Sequence, residues 1–181
     1  IQAPNRAHGL RTRFEPAGAS IVDRESDSRL VRLRTSSIGR SELQPVPAGE
    51  VIADGSRVEV RRPGLVEWFE NSERGLEQGW TLAERPDGDG PLTIRVELDG
   101  ATARIGNDRA TIYTAGRRLD YGGLTAWDAN GTSLTVHMQA ATAGGQAAPH
   151  DAISKVARQV AAVATQPMVD MRPPISAQQA A

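Results

Sequence analysis

The feature that most constrains this chain is a two-residue alternation broken at short intervals by turn dipeptides. The clearest instance is LTIRVELDG, residues 92–100. Leu92, Ile94, Val96 and Leu98 fall on one side of an extended chain, and Thr93, Arg95 and Glu97 on the other. That period belongs to a strand with one buried face. Asp99-Gly100 follows, and Ala101, Ala103 and Ile105 alternate again, so the spacing predicts a hairpin. RVEV at 57–60, RATIYTA at 109–115 and RRLDYGGLTAW at 117–127 repeat the pattern. Asn130-Gly131 marks a further turn before SLTVHM at 133–138. Earlier, LRTRFEP and ASIVDR join around Pro16-Ala17-Gly18, and RLVRLRTSSIG at 29–39 carries Leu30, Val31 and Leu33. Turns this frequent predict an all-β fold, an antiparallel β-sandwich. SERGLEQGW at 72–80 shows no alternation and holds two glycines, and reads as an ordered loop.

The pattern changes near residue 140. Residues 1–140 form the expected sandwich module, and 141–181 an Ala/Pro-rich C-terminal extension without any aromatic residue. Ile153, Val156, Val160 and Val163 are spaced three, four and three apart, a helical stripe that Asp151 could cap. Pro167, Pro173 and Pro174 then favour an extended tail.

Charge and composition exclude several classes. Lys and Arg total 21 against 22 acids, so no net field favours nucleic acid or an anionic membrane. There is no Cys, which removes disulfides, zinc thiolates and a cysteine nucleophile. No apolar run is long enough for a membrane-spanning helix. The first residues, IQAPNRAHGL, lack Met, which fits removal of a signal peptide or trimming.

Candidate sites are few. Glu67, Glu70, Glu73 and Glu77 crowd one stretch, and a glycoside hydrolase needs two carboxylates across a sugar. The blander reading is a solvated acidic loop beside Arg74 and Arg85. Asp87 and Asp89 in PDGDGP, and Asp128 and Asn130 in WDANG, offer oxygens at alternate positions as calcium loops do. Neither completes an EF-hand pattern, and both dipeptides are strong turn formers. His8, His137 and His150 show no metal-binding spacing. Trp68 and Trp80 are the candidate glycan-stacking residues; in a chain with 4% aromatics, Trp68, Trp80 and Trp127 also serve to fill a core. No cofactor motif is present.

VEWFEN, GLEQGWTLAERP, GDGPL, LDYGGLTAWDANG and, near the start, NRAHGLRTRFEP resemble an N-terminal module of large exported bacterial proteins that carry FG-GAP (integrin-like) or other β-propeller repeats. The likeness spans roughly residues 5–138. It implies an extracytoplasmic β-domain without assigned catalytic residues, at the cell surface or secreted after signal-peptide removal. Residues 165–171 are only a faint echo of the family's usual strand ending, an echo that would make 153–170 strand instead of helix, and no repeats follow in these residues. The expected function is therefore a non-catalytic structural or assembly module, a self-associating subunit of a surface fibre. Its tail (Ile153, Val156, Val160, Val163, Val169) would be a donated or docking strand, with other exported proteins as further partners. The alternative is an adhesion or glycan-binding module; a hydrolase using Glu67 or Glu70 is a third reading.

Overall fold

The computed structural model describes residues 1–106, 109–140, 152–157 and 164–170. Two antiparallel sheets of eight strands enclose one hydrophobic core, and the described residues contain no helix. The strands are β1 Gln2–Asn5, β2 Leu10–Glu15, β3 Gly18–Asp23, β4 Arg29–Gly39, β5 Leu43–Pro45, β6 Glu50–Asp54, β7 Arg57–Arg62 and β8 Leu65–Ser72. They continue as β9 Gly75–Leu82, β10 Leu92–Asp99, β11 Thr102–Gly106, β12 Arg109–Tyr113, β13 Arg118–Trp127, β14 Val136–Ala140, β15 Ala152–Ala157 and β16 Ala164–Asp170. Sheet A runs β1-β2-β3-β4-β10-β15-β14, with β5 beside β4. Sheet B runs β11-β12-β13-β16-β9-β8-β7-β6.

The alternation that predicts strands also builds the core. Leu92, Ile94, Val96 and Leu98 of β10 are all buried, as are Leu10 and Phe14 of β2 and Val31 and Leu33 of β4. Sheet B answers with Val58, Val60, Leu65, Phe69, Leu76, Trp80, Leu82, Ile112 and Leu119. Burial of such side chains is the main force holding the sheets together, about 1.5–3 kcal/mol for each large one.

The turn dipeptides do less than expected. Pro16-Ala17-Gly18 does link the paired strands β2 and β3. Asp99-Gly100, however, does not close a hairpin. β10 pairs with β4 and β15, while β11 pairs with β12 in the other sheet. Gly100 has φ 84°, so the chain turns sharply there and crosses between sheets. Asn130-Gly131 similarly leads from β13 in sheet B to β14 in sheet A, with a lone bridge between Trp127 and Ser133.

Two readings of local structure need correction. SERGLEQGW is not a loop: the tight turn at Glu73-Arg74 joins β8 to β9, which pair throughout from Leu65↔Leu82 to Ser72↔Gly75. Alternation was hidden because β9 is buried on both faces for much of its length, with Gly75 and Gly79 opposite a core-facing file of Leu76, Gln78, Trp80 and Leu82. The helical stripe fails over 152–157, which is strand, with Ile153 opposite Val96 and Val156 opposite Thr93. Val169 lies in β16, opposite Tyr121 and Leu76. Val160 and Val163 lie outside the described residues. The expected boundary at residue 140 coincides with the end of β14, yet 152–157 and 164–170 enter the same two sheets.

Candidate functional site

The densest gathering of chemically capable side chains lies between the sheets. Period two puts Glu67 on the core face of β8, between Leu65 and Phe69. It puts Gln78 between Leu76 and Trp80 on β9, Arg62 after Val60 on β7, and Thr35 after Leu33 on β4. Glu67 and Gln78 are fully buried, and Thr35 is 1% exposed. A polar group carried into such a core must find partners or cost several kcal/mol.

Each finds one. Glu67 Oε1 accepts from Thr35 Oγ1 at 2.8 Å and from Gln78 Nε2 at 2.7 Å. Glu67 Oε2 lies 3.0 Å from Arg62 Nη1, close enough for an ion pair although no N–H is aimed along a hydrogen bond at it. Trp80 Nε1 donates to Thr35 Oγ1 at 2.9 Å, and Tyr121 OH donates to Gln78 Oε1 at 2.8 Å. The indole only donates and the carboxylate only accepts, so the Thr35 hydroxyl proton must point at Glu67. The Gln78 amide orientation follows in the same way. Arg62 spends its other donors on backbone carbonyls, Nε on Pro47 at 2.7 Å, Nη1 on Val60 at 3.3 Å and Nη2 on Pro16 at 3.4 Å. Burial, with the charge of Glu67 second, pushes the Tyr121 hydroxyl well above its ordinary range.

This arrangement is a clamp. Thr35 belongs to sheet A, and Glu67, Gln78, Trp80 and Tyr121 to sheet B, so the network ties the layers at one register. Glu67 has no exposed surface with which to meet a sugar. Glu70, three residues on, lies on the opposite face of β8, so the two carboxylates cannot flank one bond. Glu70 instead sits opposite Glu77 on the outer face. Burial, then the charge of Glu70, raises the Glu77 carboxyl above its ordinary value.

The tryptophans expected to stack on glycans are not available for it. Trp80 is 0% and Trp68 3% exposed. Trp80 is core, with its N–H taken by Thr35. Trp68 lies on the outer face of sheet B opposite Gly79 and Glu59, and the Arg57 guanidinium stacks 4.3 Å from its ring centroid. Arg57 and Arg61 both bond Glu59, and these bonds hold its carboxyl below the ordinary range.

The calcium candidates are turn elements. Asp128 Oδ1 accepts from Asn130 N at 2.9 Å and Thr132 N at 2.8 Å, and these backbone bonds, Thr132 first, lower its carboxyl's pKa. Asp87 and Asp89 lie in the exposed loop between β9 and β10, where Ser41 Oγ donates to the Asp89 carbonyl at 3.0 Å. No group of three metal-ligating side chains converges among the described residues. A shallow groove of about 360 Å³ on the outer face of sheet A is lined by Arg32, Arg34, Glu97, Leu98 and Asp99. Its charges are cancelled in pairs: Arg34 with Glu97, Arg32 with Glu15 at 2.9 Å, and Asp99 with Arg29 at 3.1 Å.

Two stretches distant in sequence, NRAH at 5–8 and NSE at 71–73, meet through side-chain bonds. Asn5 Nδ2 donates to Asn71 Oδ1 at 3.0 Å and to the Ser72 carbonyl at 2.8 Å; Asn71 Nδ2 returns a bond to the Pro4 carbonyl at 3.0 Å. His8 Nε2 lies 2.7 Å from the Glu73 carbonyl. The NSER turn is thereby docked on the N-terminal strand. The sequence matches no protein-family model, and no curated protein matches it.

Proposed function

We propose that this chain is a non-catalytic structural module of an exported bacterial surface protein, working by association with further copies of itself or with other surface proteins. The observation that carries the non-catalytic part is the closed network around Glu67, whose carboxylate is bonded by Thr35 and Gln78, charge-paired with Arg62 and fully buried. Placement outside the cytoplasm rests on the motif resemblance. Association draws on strand edges: β6 ends sheet B, with Val51 and Ile52 half-exposed on it.

The test is light scattering with negative-stain imaging of the full chain over a wide concentration range. Growth from monomer to oligomers or fibres with concentration is the expected result. A monodisperse monomer throughout would overturn the assembly reading and put a binding module first.

A further inference from the structure

We propose that the gap between β9 and β13 is a strand-acceptor slot that exchanges its occupant, taking Ala164–Asp170 from a second copy of this chain as well as from its own. The proposal rests on the assembly reading and adds to the β6 edge a second, separate surface for association.

The slot is defined by its walls. β9 and β13 are not neighbours; one strand, β16, lies between them. Adjacent strands stand about 4.8 Å apart, so the walls are about 10 Å apart. The walls are nevertheless joined, because Tyr121 OH on β13 reaches over the intervening strand to Gln78 Oε1 on β9 at 2.8 Å. Gln78 is in turn fixed by Glu67, so the wall is part of the inter-sheet clamp. The slot is thus held at one strand's width by side chains that do not belong to the occupant.

The occupant is a poor match for a central position. β16 carries Pro167, which has no N–H to donate, and proline is normally confined to edge strands. Its ladder with β9 runs through Ala164 and Thr165, then resumes only at Met168. Its ladder with β13 is shifted between Gly122 and Thr125. The other tail strand shows the contrast. β15 pairs without a break from Leu92↔Ala157 to Glu97↔Ala152 on one side and from Val136↔Ala157 to Ala140↔Ile153 on the other. β15 anchors the tail in sheet A, and β16 is the strand that leaves. A second copy offers the same seven residues in the same register. Its own strand has the advantage of high effective concentration, so exchange in trans grows with protein concentration.

The chain has no Cys, which permits a clean cross-link test on the full-length protein. Thr81 and Ala164 are directly opposite in the β9–β16 ladder, and Thr81 is exposed. Thr81→Cys and Ala164→Cys variants, one of them tagged, are mixed at high concentration and oxidised. The expected result is a covalent mixed dimer in clear excess over either homodimer. The double variant closes internally at low concentration, and once closed it stops adding to growing particles. Pro167→Val restores the missing donor and slows formation of the mixed dimer. Internal closure of the double variant with no mixed dimer from the single variants overturns the slot. If particles still grow with concentration in that case, assembly runs through another surface. If they do not grow, the assembly reading falls as well.

Discussion

At the residue scale, the Arg62–Glu67 pair decides most. Burying an ion pair gains little over an apolar pair, but orphaning one member costs about 3–5 kcal/mol. Arg62→Met is therefore expected to destabilise the chain by that order in urea denaturation, because Glu67 keeps its burial and loses its countercharge. Arg62→Met with Glu67→Gln should recover much of the loss; purely additive costs would mean the pair is not coupled. Glu77 gives a pH signature of opposite sign to the usual acid. Its folded pKa is raised above the ordinary 4.5, so the folded state binds its proton more readily than the unfolded state. The stabilising form is the protonated one, fully present below pH 4.5 and lost as pH rises through the folded value. Glu77→Gln is expected to raise the melting temperature at pH 7 and to leave it unchanged near pH 3; an equal gain at both would contradict this. The clamp was legible in part. Leu65, Glu67 and Phe69 share one file, as do Leu76, Gln78, Trp80 and Leu82, so period two already places an acid and an amide on a buried face. Reading Glu67 with its acidic neighbours, rather than along its own strand, concealed it. That Thr35, 32 residues away, completes the network is a matter of sheet packing and has no local signal.

At the element scale, alternation reveals strands but not their partners. Residues 92–98 read as a strand from seven residues, because the buried and exposed files are chemically distinct. Its neighbours are β4 and β15, on average far away in sequence, and the adjoining Asp-Gly reveals only that the chain turns. The β2–β3 turn shows how strict such a corner is. Gly18 has φ 148°, and a Cβ there would lie 2.1 Å from the Leu33 carbonyl oxygen on β4. Neither the backbone angle nor the contact tolerates a side chain without movement of a central strand. Gly18→Ala is expected to cost more than about 2 kcal/mol, measured as a shift in urea midpoint at constant slope. A cost below about 0.5 kcal/mol would show that the corner relaxes freely.

At the scale of the whole molecule, the question is whether two sheets make one folding unit. The core is a single cluster to which both sheets contribute, from Leu10, Val31 and Ile94 on one side to Val60, Phe69 and Leu119 on the other. The Glu67 clamp crosses it, with Thr35 held by both Glu67 and Trp80. Neither sheet can bury its inner face without the other, so partial unfolding would expose apolar surface and orphan a charge together. The outer face of sheet A adds little, since its ion pairs are solvent-exposed and contribute at most about 1 kcal/mol each. Unfolding is therefore expected to be one cooperative transition and only weakly dependent on salt. Two probes separate the alternatives. Fluorescence reports sheet B, which holds Trp68, Trp80 and Trp127, and far-ultraviolet circular dichroism reports both sheets. Urea curves from the two should superimpose, measured at a protein concentration where the chain is monomeric. If fluorescence changed at lower urea than dichroism, sheet B would be opening while sheet A persists, and the clamp would not be coupling the layers. In Thr35→Val the curves are the first place such a separation would show, because that variant removes both bonds that Thr35 makes across the layers and leaves the apolar faces intact.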